Sequence, residues 1–348
     1  MRKHVLLIFV ASLALASVVA ADEPLCSESQ IRTAIERAIP LIEAGAAGSA
    51  EQRTCFTCHN QAVPILALAQ AKRHGFVIDE VNLKRQLDHT LAHLERGKTG
   101  YLEGKGQGGQ AVTAGYAMWA LQAGGHQADE TTAAVTSYLL QDQKEAGRWS
   151  HPGTRPPSSG SDFTTTSVAL RALTAYGTAE QQPEIESRIA TVREWLVKTE
   201  PRDTEDRVFW LHALRSAECG DDVIEQAITT LLASQRDDGG WAQMDEMESD
   251  AYATGSVVVA LLQTGKVAKD DEQLQRGLKF LLDAQLDDGS WHVVTRAKPF
   301  QTYYESGFPH EKDQFISIAA SSWATLALVL SLRESEGVRV PQSRRVTP

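Results

Sequence analysis

The sequence predicts an all-α (α/α)6 toroid, a double ring of helices around one central cavity, and three observations predict it. A glutamine-to-tryptophan motif recurs: Gln143 to Trp149, Gln235 to Trp241 (QRDDGGW) and Gln285 to Trp291 (QLDDGSW). Each copy follows an amphipathic stretch and precedes one that is apolar nearly all round. No run of alternating β-branched residues argues for a sheet. The last two copies lie 50 residues apart and the first two 92, about two such steps. A degenerate copy is therefore expected near Thr199 to Asp206 (TEPRDTED), where the glycine and tryptophan are lost. Periods of this size mark repeat architectures, in which no unit buries its apolar face alone.

The elements follow in order. Before Gln285, Leu274, Leu278, Leu281 and Leu282 form one apolar stripe on an otherwise charged helix, which suits an outer position. Outer helices are expected to begin near Glu28, Glu80, Asp129, Glu184, Asp221 and Asp271. Inner helices are expected near Asn60, Ala111, Phe163, Arg207, Ala251 and Ile316. Six pairs can close on themselves and leave no end to cap. Within the motif, Gly239, Gly240 and Gly289 allow a tight turn, the aspartates bond its amides, and the tryptophan covers the junction between pairs.

The chain has 348 residues, 34 basic and 45 acidic side chains and a net charge of −11, with 42% hydrophobic and 23% charged residues. This is the composition of a soluble globular protein. The acidic excess removes the electrostatic footprint that a phosphate backbone requires, so no nucleic-acid partner is expected. Arg2 and Lys3, the apolar run Val5 to Ala20 and the small residues that close it have the layout of a secretory signal over residues 1–21. The toroid is assigned to residues 22–335 and a polar, disordered tail to 336–348. An exported protein is expected, periplasmic or secreted. In such an oxidising compartment Cys26 and Cys219 either pair or remain separate thiols.

Cys55-Phe56-Thr57-Cys58-His59 fits the pattern of c-type haem attachment, in which two thiols add to the haem vinyl groups and the histidine meets the iron. Zinc without haem, a strained two-residue disulfide and ordinary buried thiols stay open as alternatives. Met244, Met247 and His310 are the candidates for a further metal ligand. His310 lies in a long loop, His292 to Gln314, whose Phe300, Tyr303, Tyr304 and Phe308 make it either a lid or a loop packed across the ring. His89 and His93, spaced i, i+4 without an HExxH, are read as a solvated outer face, and the glycine run from Gly97 to Gly109 as a connector.

Asp162 and Asp250 both follow serine and open inner helices. They are either helix caps or cavity carboxylates with an acid role. Tyr116, Trp119, Phe163, Phe209, Trp210, Tyr252 and Trp323 gather on inner helices, where they pack the core or hold an apolar chain.

QRDDGGW and QLDDGSW resemble the glutamine–tryptophan motif of squalene and hopene cyclases, in the terpenoid cyclase and protein prenyltransferase toroid superfamily. With CFTCHN, SDAYATG and FPHEKDQFIS, the chain is most similar to bacterial exported squalene-cyclase-like proteins that carry a CxxCH. The resemblance spans roughly Cys55 to Leu332 and implies the toroid fold. It also implies that inner-helix starts carry function: prenyltransferases place a zinc-binding aspartate there and hopene cyclases a DxDD acid. Here the stretch is Glu246-Met247-Glu248-Ser249-Asp250, which lacks the adjacent aspartate pair. The expected protein carries a c-type haem, or a metal, at the rim of an aromatic cavity and binds an apolar or isoprenoid molecule. A redox partner and a peripheral membrane contact go with that expectation. The alternatives are a cyclase-like isomerase or lyase with Asp250 as acid, and a non-catalytic binding or scaffold toroid.

Overall fold

A computed structural model of the chain describes residues 25–143, 147–150, 153, 155–299 and 301–333. The expected signal, the expected tail and Phe300 lie outside the described residues. Twelve α-helices alternate between outer and inner positions among the described residues, and there is no strand. The outer helices are α1 (Glu28–Gln52), α3 (Glu80–Leu102), α5 (Glu130–Asp142), α7 (Gln182–Lys198), α9 (Asp221–Ala233) and α11 (Glu272–Ala284). The inner helices are α2 (Val63–Arg73), α4 (Gln110–Ala123), α6 (Asp162–Tyr176), α8 (Thr204–Ser216), α10 (Ala251–Thr264) and α12 (Gln314–Ser331).

Burial separates the two rings. α10 is buried continuously from Ala251 to Leu261, whereas α11 buries Leu274, Gly277, Leu278 and Leu281. Each inner helix packs on the next, and α12 returns to α2, so the ring closes. The seam between the last and first outer helices is polar. Gln285 donates to the Ala34 carbonyl on α1 (2.8 Å), and Arg37 donates back to the Leu286 carbonyl (2.9 Å). The segment Glu311–Ser331 is long and apolar enough to cross a membrane, but 83% of its apolar window is buried inside the ring.

The repeated motif acts as a clasp. Trp149, Trp241 and Trp291 are fully buried, and their indole N–H groups donate to the carbonyls of Leu139, Leu231 and Leu281 at 2.7, 2.8 and 2.7 Å. A hydroxyl on the following inner helix, from Thr166, Thr254 or Ser321, accepts from each tryptophan's backbone N–H. Gly289 has φ +95°, which favours glycine, and a Cβ there would stand 2.6 Å from the Arg37 carbonyl of α1. In the degenerate repeat a different tryptophan takes over. Trp210, on α8 itself, donates to the Leu196 carbonyl (3.0 Å).

α10 and α12 touch backbone to backbone, because a Cβ on Gly255 would meet the Ala324 nitrogen at 2.7 Å. A methyl group there has no flexible neighbour to displace. Gly255→Ala is therefore expected to destabilise the fold by about 1–3 kcal/mol, read as a lower midpoint in urea unfolding.

Candidate functional site

The Cys-His segment enters the inner ring through a distorted turn. Cys58–Ala62 is a π-helical turn that runs directly into α2, with the Val63 N–H bonded to the Cys58 carbonyl. Pro64 accounts for it: proline has no N–H to donate and clashes with the carbonyl four residues back, so the turn before it widens. Thr57 caps the turn by accepting from the Asn60 N–H, and the Gln61 side chain accepts from the Thr57 N–H and hydroxyl, both at 2.9 Å.

Two cavities adjoin there. The first, about 320 Å³, is walled by Cys55, Cys58, His59, His93 and Tyr116 among others. The second, about 460 Å³, is walled by Pro156, Pro157, Tyr252, Pro299, Tyr304, Phe315, Ile316 and Ala319, with Arg155, Lys298 and Lys312 also on its wall. His59, Arg155, Ser158 and Gln301 line both. No aspartate or glutamate among the described residues lines either. The His59 ring meets Phe315 edge-on at 5.5 Å. Burial, helped by the Arg155 charge, lowers its pKa to about 3, so the imidazole is neutral. The Cys58 thiol lies 3.3 Å from the Ser158 hydroxyl, and burial raises its pKa. Cys55 is exposed.

All four cysteines are free. The Cys26 thiol faces the Gln275 carbonyl on α11 (3.8 Å) and Cys219 has Arg193 of α7 as its charged neighbour, so these two form no disulfide. Among the described residues no three of histidine, cysteine, aspartate and glutamate converge on a common ion. Cys55, Cys58 and His59 stand on one cavity wall, and two thiols followed by an imidazole are the donor set that c-type haem attachment uses.

The other candidates stand elsewhere. Met244 sulfur accepts from Arg296 (3.2 Å), Met247 is half-buried in the same loop, and His310 Nε2 lies 2.7 Å from the Ser290 hydroxyl with its ring stacked on His292. None of the three lines either cavity. Asp250 caps α10 by accepting from the Ala253 N–H and the Gln243 amide, both at 2.9 Å, and burial raises its pKa. Asp162 follows the Ser161 cap of α6, pairs with Arg148 (3.1 Å) and accepts from Ser150 (2.8 Å). Both carboxylates thus tie a motif loop to the start of an inner helix. The loop 292–313 is pinned, because the Tyr304 hydroxyl bonds Ser49 (3.0 Å) and Asn60 (3.1 Å).

Sequence reasoning missed Glu205. This residue of α8 is 4% exposed and has no cation among its hydrogen-bond partners. Thr164 donates to one oxygen (3.0 Å) and Tyr252 to the other (3.3 Å). Its neighbour Asp206 takes the available cation, Arg202 (3.1 Å), and the Ser161 hydroxyl (2.6 Å). Burial first, then the charge of Asp203, raises the Glu205 pKa from 4.5 to about 8. Tyr252, which bonds the carboxyl, lines the second cavity, and burial first, then the charge of an ionised Glu205, raises the pKa of both Tyr252 and Tyr116 of the first cavity. No motif marked it, since it belongs to the repeat that lost its glycine and tryptophan.

No protein-family profile matches the chain. A drimenyl diphosphate synthase of Streptomyces showdoensis is 35% identical over 77 residues, 22% of this chain and only 14% of that protein's length. The fold is similar to a variant of the type II terpene cyclase MstE from Scytonema in complex with geranylgeranyl dihydroxybenzoate. There the TM-score is 0.57 at 14% identity, over 88% of this chain and 99% of that one. A glycosidase variant in complex with glucose is also similar, with TM-score 0.53 at 12% identity over 85% and 96% of the two chains. One ring therefore hosts unrelated reactions, and side chains must decide between them.

With a folded pKa near 8 and an unfolded value of 4.5, Glu205 keeps a proton in the folded chain that the unfolded chain releases. Its contribution to stability is full below about pH 4.5 and is lost as pH rises toward 8. Glu205→Gln should flatten that decline, by on the order of a few kcal/mol between about pH 5 and about pH 8 in urea unfolding.

Proposed function

We propose that the chain is an exported toroid that carries a c-type haem on Cys55 and Cys58, with His59 as the first iron ligand, and binds an apolar, isoprenoid-class molecule beside it. The carrying observation is the position of His59 on the wall shared by a donor-lined cavity and a largely apolar one. When bound, haem supplies one-electron chemistry. The chain's own part is to hold the imidazole neutral, seat the apolar molecule against Tyr252, Tyr304 and Phe315, and exclude water through the pinned loop. The terpene cyclase bound to a geranylgeranyl compound supports an isoprenoid guest. Glycoside hydrolysis lacks support, since it needs a pair of carboxylates on the cavity wall. Export fits the amino-terminal signal pattern, and haem attachment proceeds outside the cytoplasm; a redox partner and a membrane as the isoprenoid's source belong to the same reading.

Glu205 favours a second reading, cyclase-like isomerisation. In that reading Glu205 is the proton reservoir. Its O–H would donate to the Tyr252 oxygen once the Tyr252 hydroxyl, which now donates to Glu205 (3.3 Å), turns to a double bond of the guest. The proton lost from the product returns by the same two groups, so no co-reactant is consumed. The aspartate expected from sequence, Asp250, is the rival acid.

Full-length chain exported alongside haem-maturation machinery is expected to show a Soret band and a covalent haem mass, both lost in Cys58→Ala. Intact thiols and no added mass in the wild type would remove the haem assignment. For the second reading, squalene and polyprenyl substrates are incubated with the wild type, Glu205→Gln and Asp250→Asn. A drop of about 100-fold or more is expected for Glu205→Gln, and unchanged turnover by that variant ends the proposal.

A further inference from the structure

The first cavity holds one more nitrogen donor than the motif supplies. His93, on outer helix α3, is 7% exposed, and its Nε2 is buried without any hydrogen-bond partner. Read from sequence as half of a solvated pair, it is separated from His89 by the packing. His89 is half-buried and bonds the Cys55 carbonyl (3.3 Å), while His93 lines the cavity with Cys55, Cys58 and His59. Its ring stands 6.0 Å from that of Phe56, inside the CxxCH itself. The backbone behind it is fixed by Gln107, whose amide donates to the His93 carbonyl (2.9 Å). The Tyr116 hydroxyl on the same wall is likewise buried without a partner.

We propose that His93 supplies the iron ligand opposite His59, so that the haem on Cys55 and Cys58 is held between two imidazoles. This inference rests on the haem reading and replaces the ligands expected from sequence. Met244 and His310 are each engaged by other side chains, and neither they nor Met247 reach the cavity wall. A buried ring nitrogen with no hydrogen-bond partner is costly to leave unsatisfied, and coordination would satisfy it. The geometry that carries the assignment is the unpartnered Nε2 of a buried ring on the wall that also bears Cys55, Cys58 and His59.

The test uses the full chain matured with haem in a bacterial periplasm. The wild type is expected to give a low-spin ferric signal by electron paramagnetic resonance. His93→Ala is expected to keep the covalent haem mass, turn high-spin, and recover the low-spin signal on addition of imidazole. His93→Met, which keeps the side-chain volume, is expected to stay low-spin with a raised reduction potential, and it decides the matter if the alanine variant fails to accumulate. A low-spin signal and potential unchanged by both substitutions, with haem attached, overturns the His93 assignment and leaves the haem reading standing. Absence of covalent haem from the wild type overturns both.

Discussion

The ring depends on one hydrogen bond made at each motif, from a buried indole N–H to the carbonyl of a leucine ten residues earlier on an outer helix. The donor is enclosed, so its partner is obligatory. The bond fixes where the outer helix ends, and the hydroxyl that receives the tryptophan's backbone N–H fixes where the next inner helix lies. In the last two copies the glutamine then reaches the neighbouring outer helix: Gln235 bonds the Gln273 carbonyl (2.7 Å), as Gln285 bonds that of Ala34. The α9 unit is thus locked to α11, and α11 to α1. With inner-helix starts held together in this way, His59, Arg155, Tyr252 and Phe315 meet at one end of the ring from four separate segments.

The chemistry is concentrated where the repeat is least regular. Pro64 forces the π turn that presents Cys58 and His59. The degenerate repeat leaves Glu205 buried with hydroxyl partners alone, because Asp206 has taken the arginine. A buried acid held by one phenol and one threonine hydroxyl, with no cation beside it, is expensive for a folded chain to keep.

The order of helices was legible in sequence, as were their starts to within about three residues, because the apolar period and the motif report burial directly. SDAYATG was informative for reasons that only the structure displays. Ser249 bonds Asp238, Asp250 caps, Tyr252 bonds Glu205, Thr254 receives Trp241, and Gly255 touches α12. What sequence did not disclose was direction. His93 looked solvated because its helix is outer, yet it turns toward the ring. Met244 and Met247 were chosen because they precede Asp250 at an inner-helix start, and His310 because it lies in the long loop; the two cavities are walled by other residues. Trp210 was read as packing the core or holding an apolar chain; it packs, and its indole fills the place of a lost motif residue.

Closure of six pairs has a further consequence. The number of inner helices sets the width of the bore, and contacts as tight as that of Gly255 on α12 leave it no freedom to dilate. Across that bore Trp119 of α4, Phe209 and His212 of α8 and Trp323 of α12 meet ring to ring, so three inner helices are braced against one another by aromatic side chains. For the guest proposed above, a bore that cannot dilate makes thickness a fixed gauge, as set by a caliper.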